Sequence, residues 1–445
     1  MSLHRQLLAR AQAQNPVRVG LIGAGQFGSM FLAQAARTAG LHVLGVADLS
    51  PDKARASLAR VGWPAERYAA ASAAEARRTG ATFVTDDAAR LIEADGLDVV
   101  VEATGHPGAG LAHAARALDL GRHVVMVNVE ADVLAGPLLA SRARKAGLVY
   151  SLAYGDQPAL IAELVDWART CGFEVVAAGK GTKYLPAYHA STPETVWGHY
   201  GFSEQQVASG DFNPRMFNSF LDGTKSAIEM AAVANACQLT PPEDGLAFPP
   251  CGADDLADVL KPRADGGVLA GKGMVEVVSS LTREGGPVAR DLRWGVYVVI
   301  EGPDDYVRRC FADYGLRTDA SGRYAATYKP YHLIGLELGI SVASAALRGE
   351  ATGAAQGFAG DAVAVAKRAL KAGEMLDGEG GFTVWGKLIP AARSLSLGAL
   401  PIGLAHGVRL LGAVEMGEIL RWADVEIDAN DATVKMRREL ETAFS

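Results

Sequence analysis

Short apolar runs alternate with longer amphipathic stretches through residues 17–153. The apolar runs predict six strands, at Val17–Ile22, His42–Ala47, Ala81–Val84, Asp98–Glu102, His123–Val127 and Leu148–Ala153. Helical spacing between them predicts helices at Phe27–Ala39, Pro51–Val61, Gly108–Leu120 and Pro137–Ala146. Strand–helix alternation is typical of an α/β fold with a doubly wound parallel sheet, whose ligands bind at the carboxyl ends of the strands.

The pattern changes after about residue 156. Here the sequence predicts a mixture of long helices and strands, at Ala159–Cys171, Phe173–Lys180, Phe217–Cys237, Gly273–Leu281, Leu292–Glu301 and Tyr331–Leu347. This mixture indicates an α+β catalytic and dimerisation domain. Residues 349–360 are rich in Gly and Ala and resemble a linker, and glycines recur about every ten residues beyond it, which predicts a small all-β tail. We therefore expect domains at 1–155, 156–350 and 360–445.

Composition excludes several classes of protein. The net charge of −7 argues against a nucleic-acid partner. No apolar run reaches the roughly 18 residues that cross a bilayer, and the first residues lack the apolar core of a signal peptide. The four cysteines are scattered without a C-x-x-C pair, which fits reduced thiols. We expect a cytoplasmic protein without a membrane partner, acting on a small molecule as a homodimer or higher homo-oligomer.

A G-x-G-x-x-G motif follows the first predicted strand directly. Gly23 permits the tight turn, Gly25 lets the backbone approach a phosphate, and Gly28 lets the helix pack against the strand. Gln26 and Phe27 open the helix, whose N-terminus favours negative charge. The motif predicts a dinucleotide site, and the alternative is a glycine-rich packing turn.

Asp48 ends the second predicted strand, twenty residues after Gly28. A carboxylate there accepts hydrogen bonds from ribose hydroxyls and favours NAD(H), whereas Lys53 and Arg55 could compensate the extra phosphate of NADP(H). Ser50 before Pro51 is equally typical of a helix cap, so the choice of coenzyme stays open. Further cofactor-binding candidates lie in the turns after the fourth and fifth strands: Thr104, Gly105, Asn128 and Glu130.

Candidate catalytic and substrate-binding residues follow the first domain. Carbonyl or alcohol chemistry needs groups that hold a proton or stabilise charge at oxygen, and lysine, aspartate, tyrosine and histidine supply them. Each group of candidates has an alternative interpretation. The lysines at 180–183 could lie in a solvated loop, and the charges spaced three and four apart at 222–229 could form a surface ion-pair stripe. The histidine could be structural. The candidates are Lys183, Lys225 and Asp222 as catalytic residues and Lys180, Tyr184 and His189 as substrate-binding residues.

Asp156 follows the sixth predicted strand and is the candidate ligand for a divalent cation, Mn²⁺ or Mg²⁺, with Glu130 as a second carboxylate. Helix capping is the alternative role for both side chains.

Four stretches resemble homoserine-dehydrogenase-like NAD(P) oxidoreductases, and nearly the whole chain is similar to deoxyxylulose-phosphate reductoisomerase-like (DRL) proteins. The resemblance lies in the segments 19–28, 101–105, 126–136 and 179–184. The segments 373–376 and 417–420 resemble an SAF-type β-clip domain. The resemblance implies a Rossmann domain, a catalytic domain and an SAF-like tail.

The same resemblance implies an NADPH-dependent rearrangement and reduction with a divalent cation, giving 2-C-methyl-D-erythritol 4-phosphate for isoprenoid synthesis. The chain departs from the ordinary reductoisomerase at both of its motifs. Only Asn128 and Glu130 remain of an Asn-Lys-Glu-Ser turn, and only Asp156 remains of an Asp-Ser-Glu metal turn. Lys225 corresponds to the catalytic lysine of homoserine dehydrogenases in a shifted register. The alternatives are homoserine dehydrogenase, a sugar-acid dehydrogenase or oxidoisomerase, and a cofactor-binding sensor without turnover.

Overall fold

The computed structural model describes residues 2–209 and 212–444. The chain forms two compact units, the first comprising residues 1–160 and 332–356 and the second comprising residues 161–331 and 357–445. The chain therefore passes between the units three times. Two of these passages lie near the domain boundaries expected at about 155 and 350, and the third lies at residue 331.

A six-stranded parallel sheet forms the centre of the first unit. Its strands are β1 (Val17–Ile22), β2 (Leu41–Ala47), β3 (Phe83–Thr85), β4 (Val99–Glu102), β5 (His123–Met126) and β6 (Tyr150–Leu152). Their order is β3-β2-β1-β4-β5-β6, and every neighbouring pair is parallel. The reversal of strand order at β1 and β4 creates the crevice in which doubly wound sheets bind nucleotides. The predicted doubly wound α/β fold is confirmed.

Helices cover this sheet and connect its strands. They are α1 (Leu3–Gln12), α2 (Gln26–Ala35), α3 (Pro51–Arg60), α4 (Ala73–Thr79), α5 (Ala88–Ile92), α6 (Pro107–Asp119) and α7 (Val129–Lys145). The helix predicted at Pro137–Ala146 begins earlier, at Val129, and is kinked where Ala135 leaves helical geometry two residues before Pro137. Proline removes a helical hydrogen bond and clashes with the preceding turn, which accounts for the kink.

Residues 157–331 contribute a second sheet and its helices. The helices are α8 (Gln157–Thr170), α9 (Val196–Tyr200), α10 (Glu204–Ser209), α11 (Pro214–Leu221), α12 (Thr224–Cys237), α13 (Leu256–Val259) and α14 (Asp305–Asp313). The strands are β7 (Glu174–Thr182), β8 (Met274–Ser279), β9 (Val296–Glu301), β10 (Arg317–Thr318) and β11 (Tyr324–Lys329), in the order β10-β11-β9-β7-β8. Only β7 and β8 are parallel among the pairs of this sheet.

The prediction of a single helix at Phe217–Cys237 is wrong. The helix α11 ends at Leu221 with Asp222 as its C-cap, and Gly223 takes φ +93° before α12 begins at Thr224. A left-handed φ is accessible to glycine at little cost and interrupts the helix. The three charges at 222–229 therefore do not lie along one face of a single helix. Asp222 and Glu229 are buried rather than solvated.

Residues 332–356 return to the first unit. The helix predicted at Tyr331–Leu347 starts later, as α15 (Gly339–Arg348), because Gly335 takes φ +78° in the preceding turn. Leu338, Val342 and Ala343 are buried in the same apolar cluster as the residues of β1 and α2. This segment therefore completes the core of the first unit.

The C-terminal segment carries two small antiparallel sheets and two helices. A pair of strands, β12 (Gly360–Ala366) and β14 (Val384–Pro390), forms one sheet, and β13 (Met375–Asp377), β15 (His406–Leu410) and β16 (Val425–Glu426) form the other. The helices α16 (Ala391–Leu397) and α17 (Ala432–Ala443) are additional to the predicted all-β tail. Arg437 of α17 is fully buried against Asp361 of β12, and this ion pair fastens the last helix to the sheet.

Within the described part of the chain, no helix combines the length and apolar character needed to cross a membrane.

Candidate active site

The glycine-rich turn joins β1 to α2, and its three glycines have different geometries. Gly23 takes φ +95°, and a Cβ on it would stand 2.5 Å from the carbonyl oxygen of Ala103. A Cβ on Gly28 would stand 2.3 Å from the carbonyl oxygen of Gly23. No atom lies within 4 Å of the Cβ position of Gly25. The N-terminus of α2, at Gly25 and exposed Gln26, therefore faces open space, as an approaching pyrophosphate requires, whereas Phe27 packs against the apolar core.

Asp48 ties the end of β2 to the glycine-rich turn. Its Oδ2 accepts the N–H of Ala24 at 2.9 Å, and its Oδ1 accepts the N–H of Ser50 at 3.0 Å. Ser50 caps α3, as the alternative interpretation holds. Arg55 forms a surface ion pair with Asp52 at 3.2 Å. One of the two cations that could favour NADP(H) is therefore already paired.

The turns after β4 and β5 contact each other through side chains. Thr104 donates its hydroxyl hydrogen to buried Glu102 at 2.6 Å. Asn128 caps α7 by accepting the N–H of Ala131 at 3.1 Å, and its amide nitrogen donates to the carbonyl oxygen of His106 at 3.0 Å. The predicted cofactor-binding residues of these turns thus lie at the carboxyl edge of the sheet: Thr104, Gly105, Asn128 and Glu130.

Asp156 is buried at the start of α8, where its Oδ1 accepts the N–H of Gln157 at 2.8 Å. No cluster of three or more His, Cys, Asp or Glu side chains suited to a metal occurs within residues 2–209 and 212–444. The residues present do not fit a cation held by protein ligands alone. Asp156 stays a predicted ligand of a divalent cation.

In the second unit, the end of β7 carries the predicted lysines and tyrosine. Lys180 is 4% exposed and forms an ion pair with Glu229 of α12. A buried lysine needs such a partner, because an unpaired buried charge is costly. Lys225 lies in the first turn of α12 and is half-buried. The structure therefore brings Lys180 to the helix that carries Lys225.

Lys183 points away from this ion pair. Its Nζ donates to the carbonyl oxygen of His199 at 2.6 Å and lies 5.5 Å from the ring centre of Tyr200. Burial, reinforced by the nearby charge of Arg293, lowers the pKa of Lys183. Burial also raises the pKa of Tyr200 to about 12, so that its phenol stays neutral.

Tyr184 and His189 form a hydrogen-bonded pair. The Tyr184 hydroxyl lies 2.9 Å from Nε2 of His189, and Nδ1 of His189 lies 2.7 Å from the carbonyl oxygen of Asp222. A carbonyl oxygen only accepts, so Nδ1 of a neutral ring must carry the hydrogen and Nε2 must accept from Tyr184. Burial lowers the pKa of His189 and raises the pKa of Tyr184, which favours the neutral form of both groups.

The C-terminal segment contributes two side chains to this pair. Lys367, 6% exposed, lies 2.7 Å from the Asp222 carboxylate, and its Nζ also donates to the carbonyl oxygens of Ser191 and Gly381. Trp385 stacks on His189, with ring centres 3.8 Å apart and planes inclined by 24°.

Asp222 contacts His189 through its backbone carbonyl oxygen. Its side chain is fully buried, with Lys367 on one carboxylate oxygen and the N–H of Thr224 on the other at 2.9 Å. A catalytic role of the Asp222 carboxylate stays a prediction.

Sequence reasoning missed three side chains that surround these candidates: Arg293, Lys367 and Trp385. No local signal marks them, because each belongs to a strand or turn far along the chain from β7. Only the glycine-rich spacing of the C-terminal segment indicated ordered strands there, and it did not indicate which residues would face His189.

Two family models match successive parts of the chain. Residues 19–151 match the model of the homoserine dehydrogenase NAD binding domain. Residues 155–338 match the model of the catalytic domain of oxidoreductase DRL. No curated protein matches the chain. An NAD-binding domain joined to an oxidoreductase catalytic domain defines an NAD(P)-dependent oxidoreductase, and the protein belongs to this class.

Two solved structures are similar to parts of this chain. An oxidoreductase from Agrobacterium radiobacter, in complex with NAD+, L-tartaric acid and magnesium, is 15% identical over 38% of this chain and 44% of that chain, with a TM-score of 0.29. Myo-inositol dehydrogenase from Lactobacillus casei, in complex with NAD(H) and myo-inositol, is 15% identical over 64% of this chain and 71% of that chain, with a TM-score of 0.34. The chain thus spans less than half of the first of these proteins.

Proposed function

We propose that the protein is a DRL-type reductoisomerase, which converts 1-deoxy-D-xylulose 5-phosphate into 2-C-methyl-D-erythritol 4-phosphate at the expense of a reduced nicotinamide coenzyme. The match of residues 155–338 to the DRL catalytic domain supports an oxidoreductase, and the substrate is proposed from the resemblance to DRL proteins. The observation that carries the proposal is the hydrogen-bonded chain from Tyr184 through His189 to the carbonyl oxygen of Asp222. Such a chain can move a proton to or from a substrate oxygen.

The first unit would hold the coenzyme. Open space at Gly25 and the N-terminus of α2 suit the pyrophosphate, and Asp48 suits ribose hydroxyls. When bound, the reduced nicotinamide supplies a hydride to a carbonyl carbon. Because Asp48 is a carboxylate and Arg55 is paired, we propose that NADH is preferred to NADPH, in contrast to the coenzyme that the family resemblance implies.

The second unit would supply the proton. In the reductive direction, protonated His189 gives the hydrogen on Nε2 to the Tyr184 oxygen while Tyr184 gives its hydroxyl hydrogen to the substrate oxygen. Hydride and proton together convert the carbonyl into an alcohol. In the oxidative direction the same two hydrogens move back, and neutral His189 is the final acceptor. Lys225 is proposed to stabilise negative charge developing at the substrate oxygen.

A homoserine dehydrogenase is the second candidate function, favoured by the match of residues 19–151. A sugar-acid dehydrogenase or oxidoisomerase and a sensor without turnover are further alternatives. A cytoplasmic location and a homo-oligomeric state are proposed on composition and resemblance alone.

The test is coenzyme oxidation by the purified protein with 1-deoxy-D-xylulose 5-phosphate, followed at 340 nm with NADH and NADPH separately. Parallel reactions contain Mn²⁺, Mg²⁺ or a chelator, and the product is identified by mass spectrometry. Formation of 2-C-methyl-D-erythritol 4-phosphate supports the proposal, and loss of activity in the chelator reveals a required cation. Turnover of homoserine alone selects the second candidate, and coenzyme binding without turnover of any substrate selects the sensor.

A substitution of Asp48 tests the proposed coenzyme preference. Asp48→Asn retains an oxygen acceptor for one backbone N–H and removes the negative charge. We expect the ratio of kcat/KM for NADPH to that for NADH to rise about tenfold. Asp119→Asn, at the exposed C-terminal end of α6, is the matched control, because it removes an equal charge and leaves the Arg55–Asp52 pair intact. An unchanged ratio in Asp48→Asn would remove Asp48 from coenzyme discrimination.

A further inference from the structure

Two cations in the second unit face the same aromatic ring. The Nζ of Lys183 lies 5.5 Å from the ring centre of Tyr200, and the guanidinium carbon of Arg293 lies 5.7 Å from it. Arg293 also lies 4.8 Å from the ring centre of Trp294. The two cations are close enough for the charge of Arg293 to act on Lys183.

Neither cation is neutralised by the protein. In the described ranges 2–209 and 212–444, no carboxylate forms an ion pair with Lys183 or Arg293. Lys183 donates one of its three hydrogens to the carbonyl oxygen of His199, and two remain. The guanidinium of Arg293 lies over the rings of Tyr200 and Trp294, and the Asp291 carboxylate accepts the backbone N–H of Arg293 at 2.9 Å. Like charges held together without a counter-ion repel each other, and an anion bound between them relieves the repulsion.

An arginine-lined cavity elsewhere in this unit has a different balance of charge. It encloses about 420 Å³ and is lined by Arg290 and Arg317 together with Asp254. Asp254 lies 3.3 Å from Arg290 and 3.4 Å from Arg317, so these charges are already shared with a carboxylate. The pair formed by Lys183 and Arg293 is therefore the better candidate for an anionic ligand.

We propose that Lys183 and Arg293 bind the phosphate monoester of the substrate. Two positive charges balance the two negative charges of a phosphate monoester, whereas a carboxylate balances one. Lys183 precedes Tyr184 in the chain, so one short segment carries both the proposed anion contact and the proposed proton contact. Lys183 is then a substrate-binding residue rather than a catalytic residue. The identity of the bound phosphate as that of the substrate rests on the proposed function, whereas the binding of a phosphate monoester does not.

The test is direct binding of glycerol 3-phosphate, glycerate and glycerol to the full-length protein by isothermal titration calorimetry. Tryptophan fluorescence provides a second readout, because Trp294 contacts Arg293. We expect glycerol 3-phosphate to bind more tightly than glycerate, and glycerol to bind least. Arg293→Gln and Lys183→Gln should each weaken binding of the phosphate ester at least about tenfold, because each removes a charge-assisted hydrogen bond.

Arg290→Gln is the matched control, since it removes an arginine from the same segment but away from Tyr200. It should leave the affinity for glycerol 3-phosphate unchanged, and Arg293→Lys should restore most of the loss. Equal binding of the three ligands to the wild type, or unaltered phosphate binding in both Gln variants, would overturn the inference. Tighter binding of glycerate would reassign the site to carboxylates. Phosphate binding without turnover of 1-deoxy-D-xylulose 5-phosphate would contradict the proposed reaction and leave the anion site standing.

Discussion

At the scale of the residue, His189 connects the geometry of the site to its pH dependence. Two hydrogen bonds and the stacked Trp385 ring hold the imidazole in one tautomer. Burial is the largest cause that lowers its pKa, and the charges of Lys387 and Lys367 act in the same direction. A lowered pKa makes the imidazolium a stronger acid and makes the neutral ring the dominant form near pH 7.

This arrangement predicts opposite pH profiles for the two directions of reaction. Oxidation needs neutral His189, so its rate should fall as pH drops through a pKa below 6.5. Reduction needs the imidazolium, so its rate should fall as pH rises through the same pKa.

Tyr184→Phe breaks the relay and should lower kcat by about two orders of magnitude or more. Tyr328→Phe is the control, and a Tyr184→Phe enzyme with wild-type kcat would exclude the relay.

A second buried pair makes a prediction about stability. Asp132 is 1% exposed, its Oδ1 accepts the hydroxyl hydrogen of Tyr150 at 3.0 Å, and burial raises its pKa to about 7. Between the ordinary aspartate value of 3.8 and pH 7, the unfolded chain releases this proton while the folded chain keeps it. Stability therefore falls as pH rises through this window, by up to about 4 kcal/mol in total, and changes no further above it.

Asp132→Asn should flatten this slope, because the amide does not ionise and its oxygen still accepts from Tyr150. Urea unfolding at pH 4.5, 6 and 7.5 measures the free energy of unfolding across the window. The variant should gain stability relative to the wild type as pH rises. An identical slope in both proteins would show that Asp132 titrates near its ordinary value.

At the scale of the element, the break between α11 and α12 decides which charges meet. The left-handed turn at Gly223 lets Asp222 face Lys367 of the C-terminal segment while Glu229 faces Lys180 of β7. Had one straight helix formed, Asp222 and Glu229 would have shared one face. The C-terminal segment therefore takes part in the core of the second unit.

Removing one partner of the Asp222–Lys367 pair should be costly. Lys367→Met leaves a buried carboxylate without its cation, and we expect a loss of about 3–5 kcal/mol in the free energy of unfolding. The double variant Lys367→Met with Asp222→Asn removes both charges and should recover much of the loss. Denaturant unfolding of the four proteins in the cycle measures the coupling. A loss below about 1 kcal/mol in Lys367→Met would mean that the pair is not buried as described.

The sequence predicted some elements well and others poorly, for physical reasons. The strands of the first sheet are apolar because both faces are covered, so their sequence pattern is strong. The break at Gly223 lies within an otherwise helical run, and a single glycine does not reveal whether it adopts a left-handed turn. The glycine-rich turn could be predicted because its chemistry is local. Lys367 and Trp385 could not, because their partners lie far away in the chain.

At the scale of the whole molecule, the first unit depends on a distant piece of chain. Residues 332–356 complete its apolar cluster, and Ser341 accepts the N–H of Tyr154 at 2.8 Å. The segment 1–160 alone would expose the surface that α15 covers. We expect it to unfold without cooperativity in urea, whereas residues 1–160 joined to 332–356 through a Gly/Ser linker should unfold cooperatively and bind NADH. A cooperative 1–160 fragment would show that α15 is dispensable.

The return of α15 also sets an order of events during synthesis. Roughly 190 residues separate Leu160 from the end of α15, and ribosomes add about 5–20 residues per second. The nucleotide-binding unit, although translated first, therefore waits for about 10–40 s for its last helix. During that interval the apolar face of the unit stays uncovered, and the unit can be completed only after Arg348 has been added to the chain.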